Sequence, residues 1–420
     1  MPVGESLEGS EPGERYGYSV AVSDDGKIMA VGAPYATVEG NIRAGIVQVY
    51  ELQSDSSWVT RGPALYGRNT DDQFGSAVVL SSDGQILVVS EPTYDGPNGD
   101  RSGNVRAFLF SPMNRYDPMG QEIFGQAATD HFGVSLTLSG NGQRLAVGAP
   151  YHDNGGTSRN VSGNVRIFQF NQQTNEWDPL GSALEGSSHL DWFGWGVDMS
   201  YDGSVLAVGA PRNLENGGYV RCFKLVEVAN GSTYEWQRLG SRDILNQIAP
   251  TRYDDSFGHV VALSSTTTRD NSETFRLAIG SPGKNAGALN SGLAAVYELQ
   301  NNEWKLVGSA VGPTTPGAGH QFGYSVDLQN DILAVGTPGA EDNLGEVSLY
   351  QLSTTVDGES WQLHPTIDPT QLRGVDKSDF GFAVRLVSSD NDSWTVAVGS
   401  AVTSSGGGDF SGRVNVFQVV

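Results

Sequence analysis

The chain has 420 residues, 38% of them hydrophobic and 17% charged, with 55 glycines and a formal net charge of −23. That much apolar material can build a core, while the acidity excludes nucleic acid and anionic lipid surfaces, which demand Lys and Arg. One cysteine, Cys222, excludes an internal disulfide framework. No apolar run reaches the ~18 residues of a bilayer span, so direct membrane insertion is not expected.

A two-residue anchor, aromatic then glycine, organises the chain. It falls at Tyr16-Gly17, Phe74-Gly75, Phe132-Gly133, Phe193-Gly194, Phe257-Gly258, Phe322-Gly323 and Phe380-Gly381, at intervals of 58 to 65 residues. Each anchor opens a predicted strand such as FGVSLTL. A short turn follows, with Asp-Gly or Asn-Gly in SDDGK, SSDGQ, SGNGQ and SYDGS. Those pairs suit a two-residue hairpin, because both residues tolerate positive φ. A second strand is apolar throughout: IMAVGAP, ILVVSEP, RLAVGAP, VLAVGAP, RLAIGSP, ILAVGTP, VAVGSA. Continuous apolarity predicts a strand covered on both faces, and the proline ends it. A variable loop leads to a third strand such as GNVRIFQF. A fourth segment usually starts at a tryptophan: Trp58, Trp177, Trp236, Trp304 or Trp361. One residue per repeat in this position is expected to pack between units.

Seven units of four short strands read as an all-β fold, a seven-bladed β-propeller occupying residues 1–420 as one domain. The chain ends on a third strand, GRVNVFQVV, and begins on VGESLEGSEPGERYG, which matches LGSALEGSSHLDWFG at Leu180–Gly194. The N-terminal strand is therefore expected to complete the last blade and close the ring. Cys222 occupies the place of Ile167 and is expected in the core.

Phe-Gly followed by Gly-Ala-Pro, as in Phe132-Gly133 with Gly148-Ala149-Pro150, resembles the FG-GAP repeat of integrin alpha-subunit heads. The resemblance spans essentially the whole chain. It implies a propeller that works in adhesion through loops on one face, outside the cell and within a larger multidomain protein. Integrin blades often carry an Asp-rich calcium loop between the first two strands. Here SDDGK offers only Asp24 and Asp25, and SSDNDSW only Asp390 and Asp392, few oxygens for an ion that takes 6–8. No cofactor is called for, and calcium is left as the one candidate.

An acid often precedes the anchor by two residues: Glu14, Asp72, Asp130, Asp191 and Asp255. These acids either form a cation-binding ring or cap the entry turns. Recurrence in most units favours capping. The loops after the GAP strand, with the loops entering the next anchor, would place Tyr35, Tyr94, Tyr151, His152, Asp153, Trp192 and Arg212 on one face. Aromatics beside acids and amides suit a protein or sugar ligand. Trp195, inside a strand, is expected to be buried. GxSxG, GK[ST], HExxH and CxxC are absent, and the histidines are scattered. The expectation is therefore a non-catalytic recognition or adhesion domain with a protein ligand or surface glycan as partner. A lectin is the alternative, and a hydrolase or lyase with a funnel-mouth site the third reading. Three sequons, at Asn160, Asn230 and Asn391, permit glycosylation.

Overall fold

A computed structural model describes the chain except residues 154–160, 229–232, 246–253, 268–272, 356–357, 365–371, 375–377, 390–392, 403–410 and 420. The three sequon asparagines and Asp390 and Asp392 lie outside the described residues.

Seven antiparallel sheets radiate from a common axis. The first blade shows the pattern: Ser19–Val22 innermost, then Ile28–Ala33, Ile46–Leu52 and Trp58–Thr60. The innermost strands of the other blades are Val78–Leu80, Ser135–Leu138, Gly196–Met199, Val260–Thr267, Ser325–Gln329 and Phe380–Ser389, and neighbours touch all the way round. The seventh blade takes its outermost strand, Leu7–Glu8, from the N-terminus, pairing Leu7 with Val414 and Glu8 with Arg413. Val3 N–H also donates to the Val416 carbonyl at 2.8 Å, so the clasp runs beyond the two paired residues.

The core lies between blades rather than inside one. Seven apolar clusters are buried, each shared by two neighbouring blades. This explains the apolar second strand: every residue of Ile28–Ala33, and of Val205–Ala210, is buried. Cys222 lies in one such cluster, and burial pushes its thiol up. The repeated tryptophans stitch blades together. The Nε1 of Trp177 donates to the Met119 carbonyl at 3.2 Å, Trp236 to Leu180 at 3.0 Å, Trp304 to Leu239 at 3.2 Å and Trp361 to Val307 at 3.2 Å.

The two glycines of the repeat meet across the blade boundary. A β-carbon on Gly148 would lie 2.0 Å from the carbonyl oxygen of Gly194, the anchor glycine of the next blade, which itself sits at φ +89°. Glycine fills the first position in six blades, blade two accommodating Ser90, and the second needs a residue at ease with positive φ. Phe-Gly and Gly-Ala-Pro therefore recur as two halves of one contact.

The first turns differ from the two-residue hairpin expected. Val22 pairs with Met29 and Ser23 N–H donates to the Ile28 carbonyl at 2.9 Å, leaving four residues in the turn. Gly26 alone takes positive φ there, at 71°. Asp25 instead accepts from Ser23 Oγ at 2.6 Å and Lys27 N–H at 3.0 Å, and Asp83 and Asp202 repeat that pattern. A serine hydroxyl feeding an Asx turn supports the wider loop.

Candidate functional site

The anchor glycine fixes a register for each innermost strand. The fourth residue after it is Ala21, Val79, Thr137, Asp198, Ala262, Asp327 and Arg385 in blades one to seven. Three blades supply an aliphatic residue there, and the other four supply a hydroxyl, two carboxylates and a guanidinium. An axial cavity of about 490 Å³ is lined by all but Ala262 of these positions. A second cavity, of about 250 Å³, opens toward the anchor face, and Asp198 and Arg385 line both.

The carboxylates are held from neighbouring blades. Asp198 accepts from Thr137 Oγ1 at 3.0 Å on one side and from Leu263 N–H at 2.7 Å on the other. Asp327, buried, accepts from Leu386 N–H and Leu328 N–H, each at 2.8 Å. Burial is the largest influence on both and raises both; Asp198 is pushed up to about 6. The Arg385 guanidinium pulls each back down, and Asp327 adds a like charge that raises Asp198 further. A carboxylate poised near neutrality in a water-accessible cavity that a guanidinium also lines can take and return a proton.

Above this floor stands a belt of rings. The residue directly after the anchor glycine is Tyr18, Ser76, Val134, Trp195, His259, Tyr324 and Phe382 in blades one to seven. Trp195 meets His259 with centroids 5.8 Å apart, His259 meets Tyr324 at 5.0 Å, Tyr324 meets Phe382 at 4.9 Å, and Phe382 meets Tyr18 at 5.0 Å. All five are half-buried and line the smaller cavity. Trp195 therefore lines the mouth, not the core expected for it. Its strand is the innermost one, so the face without a neighbouring sheet opens on the channel.

Four of the seven loop residues named from the sequence join this mouth. Trp192 stacks on Trp195 at 5.0 Å and 17°, Tyr151 packs edge-on to Trp192 at 5.2 Å, and the Arg212 guanidinium lies 4.5 Å from the Trp192 ring. Tyr35 reaches Tyr18 at 6.1 Å from the other end of the arc. The other three are placed elsewhere. Tyr94 stacks on Phe124 at 6.1 Å, His152 pairs with Asp130 at 3.0 Å, and Asp153 bridges to Val161. Asp198, Asp327, Arg385, His259, Tyr324 and Phe382 were not anticipated. Their signal was the repeat column itself, read position by position.

The acids before the anchor act as caps. Asp72, Asp130 and Asp191 each accept two backbone N–H groups of the entry turn, at 2.8 to 3.2 Å. Asp255 meets Lys284 Nζ at 2.7 Å, both almost fully buried. Among the described residues no three His, Cys, Asp or Glu side chains group so as to hold a metal ion.

No family model matches the chain, and no curated protein sequence does. Solved structures do resemble it. One is a protein from Bacteroides uniformis provisionally assigned as a 6-phosphogluconolactonase, at TM-score 0.51 and 10% identity, over 83% of this chain and 84% of that one. Another is the periplasmic gluconolactonase of Pseudomonas aeruginosa, at TM-score 0.49 and 12% identity, over 83% and 84%. At such identity the likeness establishes the fold. It also corrects the expectation of a non-catalytic adhesion or recognition domain, because the Bacteroides propeller is named as an enzyme. Missing motifs say nothing about a site assembled from several blades. Contiguous signatures mark sites built on one loop, whereas Thr137, Asp198, Asp327 and Arg385 come from four blades and converge only after ring closure.

Proposed function

We propose that the protein is a hydrolase of cyclic esters, with the reaction in the axial cavity. The observation that carries this reading is one repeat position. It is aliphatic in blades one, two and five, and it presents Asp198, Asp327 and Arg385 to a common cavity from blades four, six and seven. The resemblance to a propeller named as a lactonase supports the choice of reaction.

In this reading Asp198 is the general base. It takes a proton from water as the water oxygen bonds to the ester carbonyl carbon. Arg385 faces the charge that develops on the carbonyl oxygen. The intermediate collapses by breaking the acyl carbon–oxygen ring bond, and the proton held by Asp198 passes to the departing alkoxide, giving a hydroxy acid. Each Asp198 oxygen takes one hydrogen bond from the protein and keeps a lone pair for water. Asp327 is a positioning residue that holds Arg385 over the cavity by its opposite charge. Tyr35, Tyr151, Trp192 and Arg212 form the rim, while Tyr94, His152 and Asp153 hold the loops in place. The repeats themselves are of FG-GAP type, on the strength of the Gly148–Gly194 contact and its counterparts in other blades.

The test is turnover of a lactone panel by the purified protein, followed by proton release. Hydrolysis that disappears in Asp198→Asn and Arg385→Met supports the reading. Hydrolysis that survives in both removes the axial site from the account.

A further inference from the structure

We infer that the five-ring belt of Tyr18, Trp195, His259, Tyr324 and Phe382 is a substrate subsite for the apolar face of one neutral, hydroxylated ring, a sugar-derived lactone without phosphate. This rests on the hydrolase reading for the reaction but on separate residues for the recognition.

Several observations converge. The rings occupy one repeat position in consecutive blades four, five, six, seven and one, and they pack centroid to centroid at 4.9 to 5.8 Å. A position serving only blade packing would be filled alike in every repeat, as the buried anchor aromatic is. Here blades two and three carry Ser76 and Val134, which leave the belt open on one side. The belt is uncharged: burial lowers His259 to about 4, so its imidazole is neutral at physiological pH. Beneath it the cavity turns polar, with Thr137, Asp198, Asp327 and Arg385. An apolar wall over a floor of hydrogen-bonding groups matches a ring with C–H bonds on its face and hydroxyls at its edge. The cavity at the mouth, about 250 Å³, suits one ring rather than a polymer.

Charge selects against phosphate. Among the described residues lining the two cavities, Arg385 is the one Lys or Arg, against the carboxylates of Asp24, Asp198 and Asp327. Past the Arg212 guanidinium on the rim, a dianion would meet three carboxylates against one guanidinium, within a chain of net charge −23.

The experiment uses two readouts on the same full-length chain. Calorimetry measures binding of methyl glucoside, an unreactive neutral ring, and of glucose phosphate. Kinetics measures glucono-δ-lactone and γ-butyrolactone, which carries no hydroxyls. The variants are Tyr324→Leu and Trp195→Leu, which remove the ring and keep an apolar side chain, with Phe382→Leu as a third should either fail to fold by circular dichroism. The expected result is a KM for gluconolactone about tenfold higher in each variant at unchanged kcat, as for loss of one stacking ring. The bare lactone should respond weakly. Methyl glucoside should bind at least about tenfold more tightly than glucose phosphate, a margin of one decade in Kd.

The outcomes separate the two proposals. Glucoside binding that weakens in Tyr324→Leu, with no lactone turned over, supports the belt and rejects the hydrolase. Turnover with KM unchanged in the variants overturns the belt and leaves the hydrolase. Tighter binding of the phosphorylated sugar overturns the neutral-ligand assignment. Neither binding nor turnover overturns both.

Discussion

Thr137 donates its hydroxyl to Asp198 at 3.0 Å, from the innermost strand of the third blade to that of the fourth. The same hydroxyl accepts from Met199 N–H at 3.2 Å, so it is fixed from both sides. Thr137→Val removes the donor and keeps the shape. A carboxylate losing a hydrogen bond to its charged form becomes easier to protonate. The midpoint of the pH–rate profile should therefore move upward, a change that loss of packing alone would not produce.

Asp198→Asn separates catalysis from folding. Lactone hydrolysis should fall by about 10²- to 10⁴-fold, as for loss of a general base. Stability should not fall with it at neutral pH. Burial raises Asp198 in the folded chain to about 6 from an ordinary 3.8, so the folded state favours the protonated form. Its contribution to stability is complete below about 3.8 and is lost as pH rises through about 6. Asparagine is neutral throughout. Thermal melts at pH 5 and pH 8 should thus show the variant gaining on the parent at the higher pH. A variant that loses ground between these two values contradicts the assignment.

Lys284 and Asp255 form a pair with almost no access to water. Lys284→Met takes the cation away from a buried carboxylate and should cost about 3–5 kcal/mol in urea unfolding. Adding Asp255→Leu should restore much of that loss, because two apolar groups need no partner. Equal destabilisation in the single and double variants would show that the charge pair is not the cause.

Gly148→Ala tests the repeat contact. Its β-carbon would fall 2.0 Å from the Gly194 carbonyl oxygen, so one blade must move against the next. The expected loss is roughly 1–3 kcal/mol, typical of overpacking. An unchanged melting temperature would mean that the blade boundary yields more easily than its packing indicates.

The fold could be read from the chain because its physics is repeated. The same backbone contact, apolar strand and outer tryptophan must recur wherever a blade meets its neighbour, so Phe193-Gly194, Gly209 and Trp236 mark a fold. The ring closure was legible too, since the last blade lacks an outer strand and Leu7–Glu8 resembles one. The site was harder to see because it is made of departures from the repeat. Asp198 and Arg385 are single polar residues in otherwise apolar strands, distant in sequence, and nothing local marks them as neighbours. Trp195 was misplaced for a related reason. Strand membership implies full burial in the second strand of a blade, whereas the outermost strand is largely exposed and the innermost one borders the channel. Of the loop residues, Tyr151 and Trp192 reached the mouth, whereas His152 turned to Asp130 through local geometry that composition does not reveal.

The most direct test of the axial hydrolase is the pH dependence of kcat/KM for glucono-δ-lactone, measured in parallel on the parent chain and on Asp198→Asn. The account predicts a rate that rises with pH through a midpoint near 6, where Asp198 loses its proton and becomes a base. It predicts that this limb is absent in the variant. A flat profile, or the same ascending limb in Asp198→Asn, would place the chemistry outside the axial cavity.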